Sequence, residues 1–495
     1  MVKPYERLGN SQIKDLHEAS LDLLERIGIE SYNEDASQIF SDNGAEVEKV
    51  KKYYKIHIPS HLIIEAIKKT PKKVKLGARN KSNTLILDGK EPRVRFGTGS
   101  ECNNLLEIEF ENFVQKQGDL EIRAPIFKMK KGTVQDLADS AHIAEHLENL
   151  DFFIRNLNVQ DNGISLENKD VNKFFASFNN TSKHVMAGLT NLEKLDDVLK
   201  MGTIIAGGEK EFKENPLVSF ITCMTKSPLQ FVDDSTQTAI ELARRGLVNV
   251  ISSAPQGGTT APIQETGIVA QLNAEVLAGI TMTQLINPGA PVIYGAVPMR
   301  TRLDDLGDMY GAPEFSHYNL DAAQMARHYG IPCYSTGGIA DAKVPGTQAT
   351  IEKLLSHLYV ALSGGQYMHC AIGLLGQNNV LNFEQMLLDD AQIGMVKHLL
   401  RQPVDNLEDS MKIIEKVMES ETKIYTRYSR KEVRSGRVSK PYPFETRTNS
   451  DEVLYKAHLR KKELLNGPRN NLSKDILNQI YSEIDGLLPS IKTLT

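Results

Sequence analysis

One stretch decides the fold: residues 248–297, VNVISSAPQGGTTAPIQETGIVAQLNAEVLAGITMTQLINPGAPVIYGAV. VNVISSAP (248–255) is short, apolar and β-branched, the composition of a buried strand. A glycine- and threonine-rich loop follows, and then AEVLAGITMTQLI, long and apolar enough to predict a helix. PVIYGAV (291–297) is again a buried strand. Strand, loop, helix and strand in this order form the parallel βαβ unit.

The same unit recurs on both sides. Upstream lie RVRFGTG (93–99), FFIRNL (152–157), KHVMAGL (183–189) and LVSFITC (217–223); downstream lie IPCYSTGG (331–338) and QYMHCAIG (366–373). Most starts are about thirty to forty-five residues apart, the length of one unit. The segments between them, such as QTAIELARRG, DAAQMARHYG and TIEKLLSHLYVALSG, read as helices, several stopped by a glycine. The first gap is longer and holds LEIEFENFVQ and IFKMKK, which predict a hairpin or lid. Eight such strands predict an α/β fold, a (β/α)8 TIM barrel over residues 91–400. An open doubly wound sheet is the runner-up. No GxGxxG opens a helix after a strand and no GxxxxGK[ST] occurs, which removes the main support for a nucleotide site.

Residues 1–90 read as an N-terminal helical extension: Leu16, Leu21, Leu23, Leu24 and Ile27 recur at helical spacing before Gly28. A second helix, SHLIIEAIKKTP, starts at a Ser60 cap and ends before Pro71. Residues 401–495, with alternating charges and regular leucines, read as a helical segment packed on the barrel. The N-terminus has no apolar core of a secretory signal, and no stretch reaches a membrane span. Cys102, Cys223, Cys333 and Cys370 are scattered without CxxC spacing, as reduced cytoplasmic thiols are. A net charge of −5 argues against a nucleic-acid platform. A cytoplasmic location is the expectation.

In a barrel, chemistry lies at the C-terminal ends of the strands. That rule selects Gly97, Gly99, Glu101 and Cys102 after the first strand, and Gln256, Gly257, Gly258 and Glu265 after the fifth. After the sixth it selects Tyr294, Arg300, Arg302, Asp304, Asp305, Asp308, Tyr310, Glu314 and Phe315. Tyr334, Gly337, Gly338 and Asp341 follow from the seventh strand. Tyr367 and His369, alternate residues of the eighth, point to one face. Aromatics and carboxylates at one rim suit a cation, and with no Trp in the chain the rings must be Tyr and Phe. Ordinary packing is the alternative for each ring. Cys223, Cys333, Cys370 and His369 raise a zinc site, but residues 369 and 370 point to opposite sides of a strand. Glu265, Asp304, Glu314 and Asp341 offer a carboxylate pair, while GxSxG and HExxH are absent. Glu275 stands among apolar residues, where a buried charge needs a partner; a solvated position in the first helical turn is the plainer expectation.

SPLQFVDD, APQGGTTAPIQETG, AEVLAGITMTQLINPGAPVIYG and YGAPEFSHYNLDAAQMARHYGIPCYSTGGIADAKVPGTQATIEK, in this order, resemble the trimethylamine methyltransferase family. The likeness is clearest over residues 215–380 and weaker elsewhere, RFGTGS included. The resemblance implies a (β/α)8 barrel and methyl transfer to cobalt(I) of a separate corrinoid protein, with no cofactor or metal held in this subunit. The family's founding members carry pyrrolysine and demethylate trimethylamine, whereas a larger branch lacks it and acts on quaternary amines such as glycine betaine, proline betaine or carnitine. Here STGGIADAKVPG reads through in ordinary residues, which points to the second branch. Gln264 and Glu265 depart from the apolar residues many relatives have there.

A quaternary ammonium leaves as a neutral amine and needs no acid, so the protein need only orient it and exclude water. On that reading Tyr334, Tyr367 and His369 face the ammonium with Phe96 or Tyr310. Glu265 adds negative potential, and Arg300 or Arg302 pairs with a substrate carboxylate. Gly97, Gly99, Gln256, Gly257, Gly258, Gly337, Gly338 and Asp341 line the site. No catalytic residue is assigned. The expected partners are a corrinoid protein at the C-terminal face, a small methylated ammonium and, by family analogy, further copies of the chain; nucleic acid and membrane are not expected. A trimethylamine-type or zinc-dependent corrinoid methyltransferase, or a non-catalytic betaine-binding barrel, are the alternatives.

Overall fold

The computed structural model describes residues 2–111, 115–117, 120–403, 406–439, 443–444 and 452–488. Part of LEIEFENFVQ (112–114) and parts of the predicted C-terminal segment lie outside them. Eight parallel strands carry the centre of the chain. They are β1 (Arg95–Phe96), β2 (Phe152–Ile154), β3 (His184–Ala187), β4 (Val218–Lys226), β5 (Asn249–Ser253), β6 (Val292–Ala296), β7 (Cys333–Thr336) and β8 (Tyr367–His369). Each starts inside one of the predicted runs. They pair in the order β2-β3-β4-β5-β6-β7-β8-β1, every ladder parallel. A parallel bridge also joins Gly97, just past β1, to Phe152 of β2.

A helix follows each strand: α1 (Val134–Glu145), α2 (Lys169–Asn180), α3 (Leu195–Ala206), α4 (Asp233–Arg244), α5 (Glu265–Ile286), α6 (Pro313–Tyr329), α7 (Thr347–Leu362) and α8 (Phe383–Leu399). Most are amphipathic. Three are buried over most of their length, α2, α8 and α5; over the outer side of α5 pack the N-terminal helices Asn10–Asp22 and Ser60–Lys69.

Side chains alternate across the strands with period two. Phe152, Ile154, Met186, Val248, Val250, Ile293, Tyr334 and Tyr367 share one inner cluster. Phe96, Phe153, Val185 and Met368, and likewise Ile251, Val292, Tyr294 and Cys333, pack outward against helices. The inner cluster is closed from below by a hairpin, Lys73–Leu76 with Leu85–Asp88, which contributes Val74, Leu76, Leu85 and Leu87. It sits at the strands' N-terminal ends, where Gly77 donates to Pro216 O at 2.9 Å and His184 Nδ1 lies 2.6 Å from Gly77 O. Chemistry is therefore left to the opposite end.

The purely helical N-terminal extension is corrected. Besides its helices it holds strands Ile29–Ser31, Glu46–Val50 and Tyr53–His57, which extend the sheet through Gln230–Phe231. EVEKV and YYKIH are short and polar, so their edge pairing leaves little apolar signature. Ser60 does open its helix, but Pro59 holds the cap position and the Ser60 hydroxyl bonds Glu25. In the long first gap, Asn104–Phe110 pairs antiparallel with Pro125–Lys131, the expected hairpin. The C-terminal segment is helical at Leu407–Glu419, Thr426–Arg434, Val453–Leu465 and Lys474–Glu483. Val453–Leu465 lies on α8 and α1, with His458 Nδ1 2.8 Å from Glu384. No helix among the described residues is long and apolar enough to cross a membrane.

Candidate active site

Tyr334 and Tyr367 share the inner face, and His369 extends it by parity on β8; Met368 points outward. Tyr334 stacks on the His369 ring at 4.0 Å and 17°, and lies 5.7 Å from Tyr367. Tyr367 stacks in turn on Phe152 at 3.8 Å. Four rings thus form one wall, with Phe152 and Tyr367 deeper and Tyr334 and His369 nearer the strand ends. Gly97 is a glycine because a Cβ there would run into the Phe152 ring.

His369 is held in one tautomer. The Thr336 hydroxyl donates to Ala296 O at 3.1 Å, so it accepts from His369 Nε2 at 2.6 Å. Nδ1 then carries the lone pair, 2.9 Å from the Cys370 thiol. Burial pushes the imidazole pKa down to about 3, so the ring is neutral at physiological pH. A neutral ring beside two tyrosines accepts a cation without charge repulsion. Deeper still, His184 Nε2 meets Ser219 Oγ at 2.7 Å, and the Tyr367 hydroxyl neighbours the same Ser219 without a well-formed hydrogen bond.

The facing wall is open. Gly188, Ile221, Ala254 and Val297 are half-buried, and Cys223 is exposed. Burial nonetheless raises the Cys223 thiol pKa, partly offset by Ser252. Cys223 is thus crowded by protein yet reached by solvent. A separate cavity of about 340 Å³, lined by Lys75, Arg79, Lys81 and Asn215, lies at the other end of the strands and has no part in this site.

Several predicted residues sit elsewhere. Phe96 faces outward, with Lys397 5.5 Å above its ring and His357 edge-on. Tyr310 is buried against Phe315, its hydroxyl 3.5 Å from Met299 sulfur. Glu265, in the first turn of α5, is clasped by Arg7 and by His317 at 2.9 Å. Burial raises the Glu265 pKa, but these two partners outweigh it and hold it low. Arg302 is taken by Asp305 (2.8 Å) and Asp304 (3.3 Å). Arg300 reaches Glu314 at 3.3 Å through one guanidinium nitrogen, and its buried Nε has no partner. Asp341 accepts from the Tyr310 and Gly311 amides at 2.9 and 3.0 Å, bracing the loop rather than facing a ligand.

The glycine-rich loop forms part of a rim. Gln256 and Gly257 pair with Met299–Thr301, and Gln256 Nε2 donates to Asp308 at 2.8 Å; Gly258 turns away with φ +103°. Gly99 lies between Cys370 and Ile154, Gly337 against Met368, and Gly338 leaves no room for a Cβ beside His357. Of the zinc candidates, Cys223 is exposed while Cys333 and Cys370 belong to outer clusters. Among the described residues no three His, Cys, Asp or Glu side chains gather as a metal site.

The sequence reading missed Phe152, Thr336 and the buried network at the β1–β2 ends. There Arg155 meets Glu101 (3.0 Å) and Asp170 (3.2 Å), and Lys173 meets Glu101 at 2.8 Å. Thr336 was within reach by parity from Tyr334. Glu275 is corrected outright: it is fully buried, with Ser227, Leu229, Ser253 and Gln271 as partners.

The structure is thus a parallel α/β sheet with an aromatic wall at its strand ends. The sequence profile of the trimethylamine methyltransferase family matches residues 1–422, and the chain belongs to that family. It is a methyltransferase. A trimethylamine methyltransferase of Desulfitobacterium hafniense is 32% identical over 78% of this chain and 73% of its own length. One from Methanosarcina thermophila is 31% identical over 82% and 81%. A glycine betaine methyltransferase of D. hafniense is 27% identical over 93% and 90%.

Proposed function

We propose that the eight strands close into a (β/α)8 barrel and that the protein takes a methyl group from a quaternary ammonium, glycine betaine first, for transfer to the cobalt(I) of a cognate corrinoid protein. Closure is supported by the seven parallel ladders and the Gly97–Phe152 bridge. The reading is carried by one observation: a neutral His369 stacked on Tyr334 at the strand ends. The glycine betaine methyltransferase relative, which matches across nearly the whole chain, favours a quaternary substrate. The relatives named for trimethylamine keep that amine as the second reading.

The partner's cobalt would supply the nucleophile that takes the methyl group. This chain's residues bind and orient the cation. The rings of Tyr334 and His369 face it, the inner cluster below excludes water, and the leaving amine needs no proton. Docking at the strand ends is supported by exposed apolar residues on three loops there, Ile263, Leu303, Leu306 and Val344. Self-association is supported by the outward face of α7, where Ile351, Leu355 and Tyr359 are exposed. A cytoplasmic location accords with free cysteines. The test mixes the protein with reduced corrinoid protein and a panel of betaines, carnitine and trimethylamine. Cobalt(I) absorption is expected to decay with a quaternary amine; decay with none of them contradicts the proposal.

A further inference from the structure

Six carboxylates among the described residues are buried: Asp136, Asp170, Glu275, Asp321, Glu384 and Asp389. Five face a cation. Lys130 lies 2.9 Å from Asp136, Arg155 3.2 Å from Asp170, Arg7 3.0 Å from Asp321 and Lys353 3.0 Å from Asp389; Lys461 and His458 share Glu384. Glu275 is the exception. No Lys, Arg or His among the described residues pairs with it.

Its four partners are neutral donors. The Ser227 hydroxyl donates at 2.7 Å, the Leu229 amide at 2.9 Å, the Gln271 amide at 3.0 Å, and the Ser253 hydroxyl completes the set. An amide N–H can only donate, so Oε1 presents lone pairs to both. Four donors around one carboxyl group match an ionised, acceptor-only carboxylate. Burial works against that charge and raises its pKa, so an uncompensated anion here costs stability.

Its place in the fold gives the reason. Ser227 follows β4, Ser253 ends β5, and Gln271 also donates to Thr260 O at 2.9 Å on the glycine-rich loop. Glu275 therefore stands at the C-terminal ends of β4 and β5, beside the glycine-rich loop and on the sheet that also carries Tyr334 and His369. On the rim, Glu265 is matched by Arg7 and Asp305 by Arg302, while the half-buried Asp308 meets the neutral Gln256 amide.

We infer that the missing counter-ion of Glu275 is the substrate's ammonium: the carboxylate acts through the β4–β5 wall as the fixed negative charge that selects a cation. The inference rests on the quaternary-ammonium reading above. A charge buried on both sides is little screened by salt, and at roughly 10 Å in an effective dielectric near 20 it is worth about tenfold in affinity.

The experiment compares glycine betaine with 3,3-dimethylbutyrate, in which carbon replaces the nitrogen, by isothermal titration of the full chain. Wild type is expected to prefer betaine. Glu275→Gln keeps the shape, and the serine hydroxyls can turn to accept from its amide; the preference should fall about tenfold. Gln271→Lys neutralises Glu275 from the other side and should lower it similarly. Ser253→Ala removes one donor, keeps the charge and should keep the preference. Thermal unfolding confirms that each variant is folded. An unchanged preference in folded Glu275→Gln or Gln271→Lys overturns the inference and leaves the ammonium reading standing. A wild type that does not prefer the cation overturns both.

Discussion

The inner wall of β7 and β8 and the rim loop after β6 looked equally suited to a ligand, and the structure separates them. Along the rim, Arg302 holds Asp305, Arg300 holds Glu314, and Asp341 braces two backbone amides. Their bonding capacity is largely used within the protein. Along the wall, Tyr334 and His369 are fixed by stacking and by the His369 hydrogen bonds to Thr336 and Cys370, and no ion pair involves either ring among the described residues. A charge at a strand mouth is often part of the frame; a neutral ring held in place is free to meet a cation.

The largest effect expected from this contrast is on stability. Tyr367 is fully buried and stacks on Phe152, so Tyr367→Ala should cost about 3–5 kcal/mol. Tyr367→Phe removes a hydroxyl whose neighbour Ser219 already meets His184 and should be nearly neutral. Urea unfolding reads both. A costly Tyr367→Phe would show that the hydroxyl is bonded and would redraw the lower half of the wall.

The second effect is acid lability. Burial lowers the pKa of His369 to about 3, and of His184 and His357 to about 4, from 6.5. Below pH 6.5 the unfolded chain takes up protons on these rings while the folded chain does not. Their stabilising contribution is therefore complete above pH 6.5 and is lost as pH falls toward 4 and 3. His369→Gln should flatten part of that slope in unfolding measured across the range. An identical slope in the variant would mean that His369 is protonated in the folded protein, and the neutral wall would be lost.

The eight strands were legible because a strand buried on both faces is an uninterrupted apolar run, as in VNVISSAP and PVIYGAV. Their ends were not. The run FFIRNL stops as a strand at Ile154, because Arg155 turns to Asp170 and Glu101. Parity made Tyr334, Tyr367 and His369 readable as one face but left open which side it took; the hairpin Lys73–Asp88, packed on the inner cluster, decides that. Pairings such as Glu265 with Arg7 join residues 258 positions apart, and a single sequence carries no trace of them. Glu275 was visible as an acid in an apolar helix, yet its burial depends on the β4 and β5 ends it faces, through Ser227 and Ser253.

On the rim the smallest effect is expected. Arg302 is exposed and its pairs are local, so Arg302→Ala should leave stability nearly unchanged. Its effect on ligand binding sets the scale for the measurement that tests the central claim, that the inner wall and not the rim holds the cation. That measurement is the dissociation constant of glycine betaine for Tyr334→Ala beside that for Arg302→Ala. Loss of a desolvated ring, worth ~2 kcal/mol against a cation, predicts roughly thirtyfold weaker binding to Tyr334→Ala. Arg302→Ala is predicted to bind within about twofold of wild type. A thirtyfold loss in Arg302→Ala with Tyr334→Ala unchanged would contradict the account.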